Sequence, residues 1–185
     1  MRNIMVDLET IGTAPGSAIL SIGACVFNQS DKDNGPFVFS KNIDLLDSIF
    51  EGLTVDPKTT KWWSEQSVDA VRLLTKNPVS LKGALNTFAS FLRKEDCLWA
   101  KGPDFDMVLL KAAYDIVNIK VPWSFRLMRD VRTILALAEE VSGEKPSPNT
   151  FDRFVKHFAL HDAQLQRLQV ITAGHILGID LEEMS

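Results

Sequence analysis

The sequence predicts an α/β protein, a mixed sheet of three antiparallel strands plus parallel strands, flanked by helices. Three observations carry this. The opening third holds three short apolar runs separated by polar turns. Beyond residue 56 the apolar spacing changes to a helical period. Two further strand-like runs are then interleaved with the helices.

Taken in order, residues 3–8 form the first strand. The turn-rich TIGTAPGSA leads to a second over 18–27, and the polar loop NQSDKDNG (28–35) to a third over 36–43. Short turns favour an antiparallel meander. Helices are expected over 57–66, 68–74 and 81–92, with Ser67 and Ser80 as N-caps and an apolar stripe of Leu81, Leu85, Phe88 and Leu92. DCLWAKG (96–102) reads as a buried strand, and 103–118 as a helix with Pro103 and Asp104 at its start. PWSFRLMRDV (122–131) supplies the last strand, and the following helix ends at Gly143. EKPSPNT (144–150) is a surface loop and flexible element, and the final helices cover 150–156 and 161–177.

At 185 residues, 45% of them hydrophobic and 24% charged, the chain is expected to be one domain spanning 1–185 with a real core. A net charge of −4 argues against a protein that coats duplex DNA, which needs a positive surface to displace counterions. It is compatible with an enzyme that grips one strand end. Cys25 and Cys97 lie in apolar segments without C-x-x-C spacing and read as reduced thiols. No signal-peptide pattern and no apolar run of about 20 residues is present, so no membrane is involved and a cytoplasmic location, in a bacterial or phage-infected cell, is expected.

MVDLET (5–10) places two carboxylates on the first strand. Residues two apart in a strand share a face, roughly 6.6 Å apart, so Asp7 and Glu9 point the same way. Like charges held so close raise each other's pKa unless a cation lies between them. Taken alone, an acid at a strand end is a turn or cap residue. Further acids change that balance. Asp106 follows the strand WA in PDFD, and Asp162 follows His157 by five positions in KHFALHDA. Each of these two acids alone reads as a favourable charge against a helix dipole.

Together, D-x-E on the first strand, F-D after a later strand and H-x-x-x-x-D opening the last helix resemble the DEDDh exonucleases, ribonuclease H-like 3′-to-5′ exonucleases typified by DNA polymerase III epsilon, ribonuclease T and oligoribonuclease. The likeness runs from Val6 to about Ala163. MVDLETIGTAPGSAILSIGA, the pair Trp62 and Trp63, PDFD and RDVRT (129–133) look closest to a phage and bacterial branch of 3′-to-5′ exoribonucleases. In the family an Asn commonly sits four or five residues before the Phe-Asp acid; this chain has Lys101 and Gly102 there.

The resemblance implies a ribonuclease H-like fold, with Asp7, Glu9, Asp106 and Asp162 as ligands for two Mg²⁺ or Mn²⁺ ions, Asp7 bridging them, and His157 as general base. Four carboxylates are a hard-oxygen set that suits these ions rather than zinc. The implied reaction releases nucleoside 5′-monophosphates from the 3′ end of single-stranded RNA or DNA, RNA being favoured. His161 competes for the role of base, and His175 is expected to pack. Leu8, Thr10, Ile11 and Trp63 are expected to line the terminal-nucleotide pocket. Trp62 and Trp63 read either as base-stacking platforms or as core anchors; Lys101, Arg129 and Arg132 either meet phosphate or are solvated. A homodimer is kept open. The alternatives are a single-stranded DNA exonuclease of the same family and a non-catalytic ribonuclease H-like nucleic-acid-binding domain.

Overall fold

The computed structural model describes residues 2–27, 37–148 and 154–182. Five strands form one sheet in the order β3-β2-β1-β4-β5: β1 (Asn3–Thr10), β2 (Ile19–Val26), β3 (Val38–Asn42), β4 (Cys97–Ala100) and β5 (Met128–Asp130). The first three pair antiparallel, the arrangement that the short turns favour, while β4 and β5 join parallel beyond β1. The loop expected over 28–35 lies outside the described residues.

The helices are α1 (Leu45–Phe50), α2 (Pro57–Ser64), α3 (Val68–Leu74), α4 (Leu81–Phe91), α5 (Asp106–Ile116), α6 (Val131–Ser142) and α7 (Ala159–Ile176). Ser67 and Ser80 cap α3 and α4 by accepting the N–H of Ala70 and Gly83. Gly143 ends α6 in the left-handed conformation at φ 75°, which glycine adopts without a Cβ penalty. Among the described residues, no helix is long and apolar enough to cross a membrane.

One helix was not expected, and three expectations are corrected. The six-residue α1, capped by Asp44, lacked a periodic signal because Leu46, Ile49 and Phe50 remain exposed. Residues 103–105 form a turn rather than a first helical turn, since Gly102 at φ 105° redirects the chain and its carbonyl accepts the Phe105 N–H. In 122–131 only Met128–Asp130 is strand, preceded by a 3₁₀ turn over Phe125–Leu127. Of the helix expected over 150–156, residues 150–153 lie outside the described residues and 154–156 are not helical, while α7 begins two residues earlier than expected.

Alternation along β1 divides the core. Ile4, Val6 and Leu8 pack with Leu85, Phe88, Leu110 and Tyr114 on one face. Met5 packs on the other with Phe27, Trp99, Ile134 and Val170. Each fully buried side chain of this size contributes about 1.5–3 kcal/mol, so the sheet is clamped from both sides.

α7 crosses the second face very closely. Gly23 of β2, opposite Asp7 in the strand register, lies directly under the start of that helix: a Cβ there would collide with the backbone of Ala159 and Leu160. Backbone cannot swing aside as a side chain does. Gly23→Ala should therefore force α7 away from the sheet at an overpacking cost of about 1–3 kcal/mol or more. Its thermal melt should fall by several degrees, and any activity that uses Asp162 should fall further than the folded fraction does.

Candidate active site

Parallel pairing of β1 with β4 puts both carboxyl ends at one edge of the sheet, where open α/β sheets tend to bind ligands. β4 pairs only with residues 3–5, so β1 runs on beyond it. The Leu8 N–H donates there to Asp106 Oδ1 at 3.2 Å, which ties the first residue of α5 to the strand. Asp7 and Glu9 share the Met5 face, the side covered by α7. The pairing register shifts between Glu9 and Thr10, an irregularity of the kind that re-aims side chains beside active sites.

α7 brings the fourth acid. Asp162 sits in its first turn, and its Oδ2 accepts the His157 N–H at 2.8 Å. His157 is held at φ 60°, a left-handed conformation uncommon outside glycine, by the turn that this bond closes. One ligand-capable atom from each of Glu9, His157 and Asp162 lies within 4.8 Å of the others.

Burial and mutual repulsion dominate the electrostatics. Burial first, then the charges of Asp106, Glu9 and Asp162, push Asp7 well above the ordinary carboxylate range. Glu9 rises to about 8 through burial, the neighbouring acids Asp162 and Asp106, and a hydrogen bond with Asp162. Asp106 rises to about 7 because it is buried, although the Leu8 N–H and the Arg132 guanidinium pull it back. Asp162 is raised less strongly by burial, opposed by the His157 N–H. This donor set of carboxylate oxygens, short of positive charge, fits hard divalent cations.

The other expected residues separate. His161 is committed to structure: its Nδ1 accepts the Val155 N–H at 3.0 Å, its ring meets Phe158 edge-on, and burial lowers its pKa. His175 is exposed in the last turn of α7 and does not pack as expected, because that stretch of the helix turns this position to solvent. Trp63 is a buried anchor whose Nε1 donates to the Thr10 carbonyl at 2.8 Å. Trp62 is 40% exposed, with its ring 4.8 Å from that of His157 in an edge-on contact. Leu8, Glu9, Thr10, Trp62, Trp63 and Phe105 border a cavity of about 490 Å³ beside the acids. The Thr10 hydroxyl is already used, donating to the Gly12 carbonyl at 2.8 Å. Ile11 borders instead a larger, mostly apolar cavity of about 820 Å³ next to α3, on the side of Val71 and Leu74.

Lys101 is exposed, and Gly102 has a specific local consequence: a Cβ there would collide with the Arg132 side chain. The glycine thus admits the guanidinium whose charge acts on Asp106. Asp104 is exposed in the turn, whereas Asp106 is buried. One residue of the site was missed in the sequence. Gln166, one turn after Asp162, donates its Nε2 to Asp7 Oδ1 at 2.7 Å. The D-x-x-x-Q spacing, which puts both side chains on one helix face, was the available signal.

A family model described as the Rv2179c-like 3′-5′ exoribonuclease domain matches residues 2–173. No curated protein matches the sequence. Among solved structures, cell-death related nuclease 4 (CRN-4) superposes with a TM-score of 0.62 at 14% identity, over 96% of this chain, which spans 64% of that one. The nuclease domain of 3′hExo, a DEDDh family member bound to rAMP, gives 0.55 at 11% identity, covering 97% of this chain and 94% of that one. S. pombe Pop2p, in its Mg²⁺ and Mn²⁺ bound form, gives 0.53 at 13% identity, covering 94% and 82%. At such identities the likeness is one of fold.

Two predictions follow from this geometry. Asp106→Asn keeps the shape and an oxygen for the Leu8 N–H but removes the charge, so it should abolish cation-dependent turnover with a melting temperature equal to or above that of the parent. Asp104→Asn should leave turnover nearly intact, and a dead Asp104→Asn beside an active Asp106→Asn would redraw the site. The second concerns pH. Carboxyls whose folded pKa is raised keep protons that the unfolded chain, with ordinary values near 4, has lost. Stability without metal should then fall as pH rises from about 4 towards 8, the values reached by Glu9 and Asp106 setting the upper end. Melts in EDTA at pH 5 and pH 8 should show the higher temperature at pH 5, and Glu9→Gln should shrink that difference.

Proposed function

The chain belongs to the Rv2179c-like 3′-5′ exoribonuclease domain family, and from that premise we propose that it releases nucleoside 5′-monophosphates stepwise from the free 3′ end of single-stranded RNA. Asp7, Glu9, Asp106 and Asp162 hold two divalent cations, Mg²⁺ or Mn²⁺, and His157 is the general base. The observation that carries this reading is the convergence of four carboxylates from three separate elements beside one histidine, with Glu9, His157 and Asp162 atoms within 4.8 Å of one another. The Pop2p structure in its Mg²⁺ and Mn²⁺ bound form and the 3′hExo domain bound to rAMP support the same cation and nucleotide classes here.

When bound, the cations supply Lewis-acid stabilisation of the charge that builds on the attacking and leaving oxygens of an in-line displacement. Asp7, on which the charges of all three other acids act, would be one of the residues that hold the cations. His157 takes a proton from the attacking water, the general-base role for which an imidazole is the commonest side chain. The water oxygen bonds to phosphorus as the bond from phosphorus to the preceding nucleotide's 3′ oxygen breaks. The released nucleotide therefore keeps its 5′ phosphate.

The cavity of about 490 Å³ beside Glu9 takes the terminal nucleotide, and the exposed face of Trp62 offers it a stacking surface. Leu8 and Phe105 give the pocket apolar walls.

The test is digestion of matched 5′-labelled single-stranded RNA and DNA. RNA should shorten one nucleotide at a time with Mg²⁺ or Mn²⁺, stop with EDTA, and be protected by a 3′ phosphate but not by a blocked 5′ end. His157→Ala should lower kcat about 10²–10⁴-fold, the usual range for general-base catalysis. Cleavage of a circular RNA would show an endonuclease, and faster digestion of DNA would overturn the RNA assignment.

A further inference from the structure

Gln166 is the polar exception on the buried face of α7, where Ala163, Val170, Ile171 and Ala173 are its apolar companions. Only 7% exposed, it donates through Nε2 to Asp7 Oδ1 at 2.7 Å. Its own Oε1 is buried with no hydrogen-bond partner among the described residues. A buried amide oxygen without a donor is unfavourable, and a methionine or leucine would fill this space without that cost. What the amide supplies in return is its N–H on Asp7. With Asp7 ionised, as cation binding requires, the flipped amide would aim Oε1 at a carboxylate, so the Nε2 orientation is the favourable one.

We propose that Gln166 is a positioning residue that holds the Asp7 carboxylate in the orientation needed to receive cations, an inference that rests on the metal-holding reading of the four acids. The chemistry of the donor explains the choice of side chain. A lysine or arginine at the same place would orient Asp7 but neutralise it, competing with the cation for its charge. A neutral amide orders the carboxylate and leaves its charge available, as partners of metal-binding carboxylates do. Placement on α7 also couples two acids: Asp162 and Gln166 lie one turn apart on the same helix, so the element that delivers one ligand also aims another.

The experiment compares the parent chain with Gln166→Met, which keeps the volume and loses the donor, and Gln166→Asn, which keeps the amide but withdraws it by one methylene. Mn²⁺ binding is measured by calorimetry without nucleic acid, alongside melts in EDTA and steady-state rates on RNA over a Mn²⁺ series. Loss of such a partner typically weakens metal affinity 10–100-fold. That loss is expected in both variants, with melting temperature unchanged or raised, the Mn²⁺ concentration for half-maximal rate increased to match, and KM for RNA at saturating Mn²⁺ unchanged. Mn²⁺ affinity within twofold of the parent in a folded variant overturns the proposal while leaving the metal reading intact. A parent that binds no Mn²⁺ overturns that reading and this proposal with it. Failure of both variants to fold assigns Gln166 a structural role and also overturns it.

Discussion

Four carboxylates drawn to one edge of a sheet repel one another, and removing them from water strengthens the repulsion. The rest of the structure is arranged around holding that charge in place. Asp7, Glu9 and Asp106 all stand above their ordinary pKa, burial being the leading cause for each. The chain opposes this mainly with neutral donors: the Leu8 N–H on Asp106, the His157 N–H on Asp162 and the Gln166 amide on Asp7. Arg132 adds a positive charge acting on Asp106 from the rim. Neutral dipoles order the carboxylates without cancelling their charge.

Such an arrangement needs backbones that approach closely, and small residues provide for it. Gly23 lies under the start of α7, and Ala159, Ala163, Ala173 and Gly174 are buried along the helix. The same approach that seats α7 on the sheet brings Asp162 and Gln166 to the carboxyl end of β1. On the opposite side, Trp63 pins the Thr10 carbonyl just past the register shift, fixing the strand end that carries Glu9. Packing and the gathering of the acids thus depend on the same contacts.

The start of α7 and the segment before it divide two histidines by task. His161 accepts the Val155 N–H and packs against Phe158, fastening the segment to the helix. His157, free of that duty, turns its ring towards Trp62 and the acids. The edge-on contact with Trp62 also joins the His157 ring to the wall of the cavity beside Glu9.

Much of this was written into the sequence because it depends on local rules. The alternation of β1 put Asp7 and Glu9 on one face, the turn lengths set an antiparallel meander, and Ser67, Ser80 and Gly143 marked helix ends where they occur. What escaped depends on pairs of residues far apart in the chain. The Gln166 bond to Asp7 spans 159 positions, and the clearance under α7 depends on Gly23 meeting the backbone of Ala159. The separation of Trp63 from Trp62 depended on which indole could reach the Thr10 carbonyl, and the fate of Ile11 on which of two cavities the strand end faces. A sequence specifies the period, the caps and the types of ligand, since these are set by neighbours along the chain. Only tertiary structure decides which buried groups meet, because burial and close approach are properties of elements packed against one another.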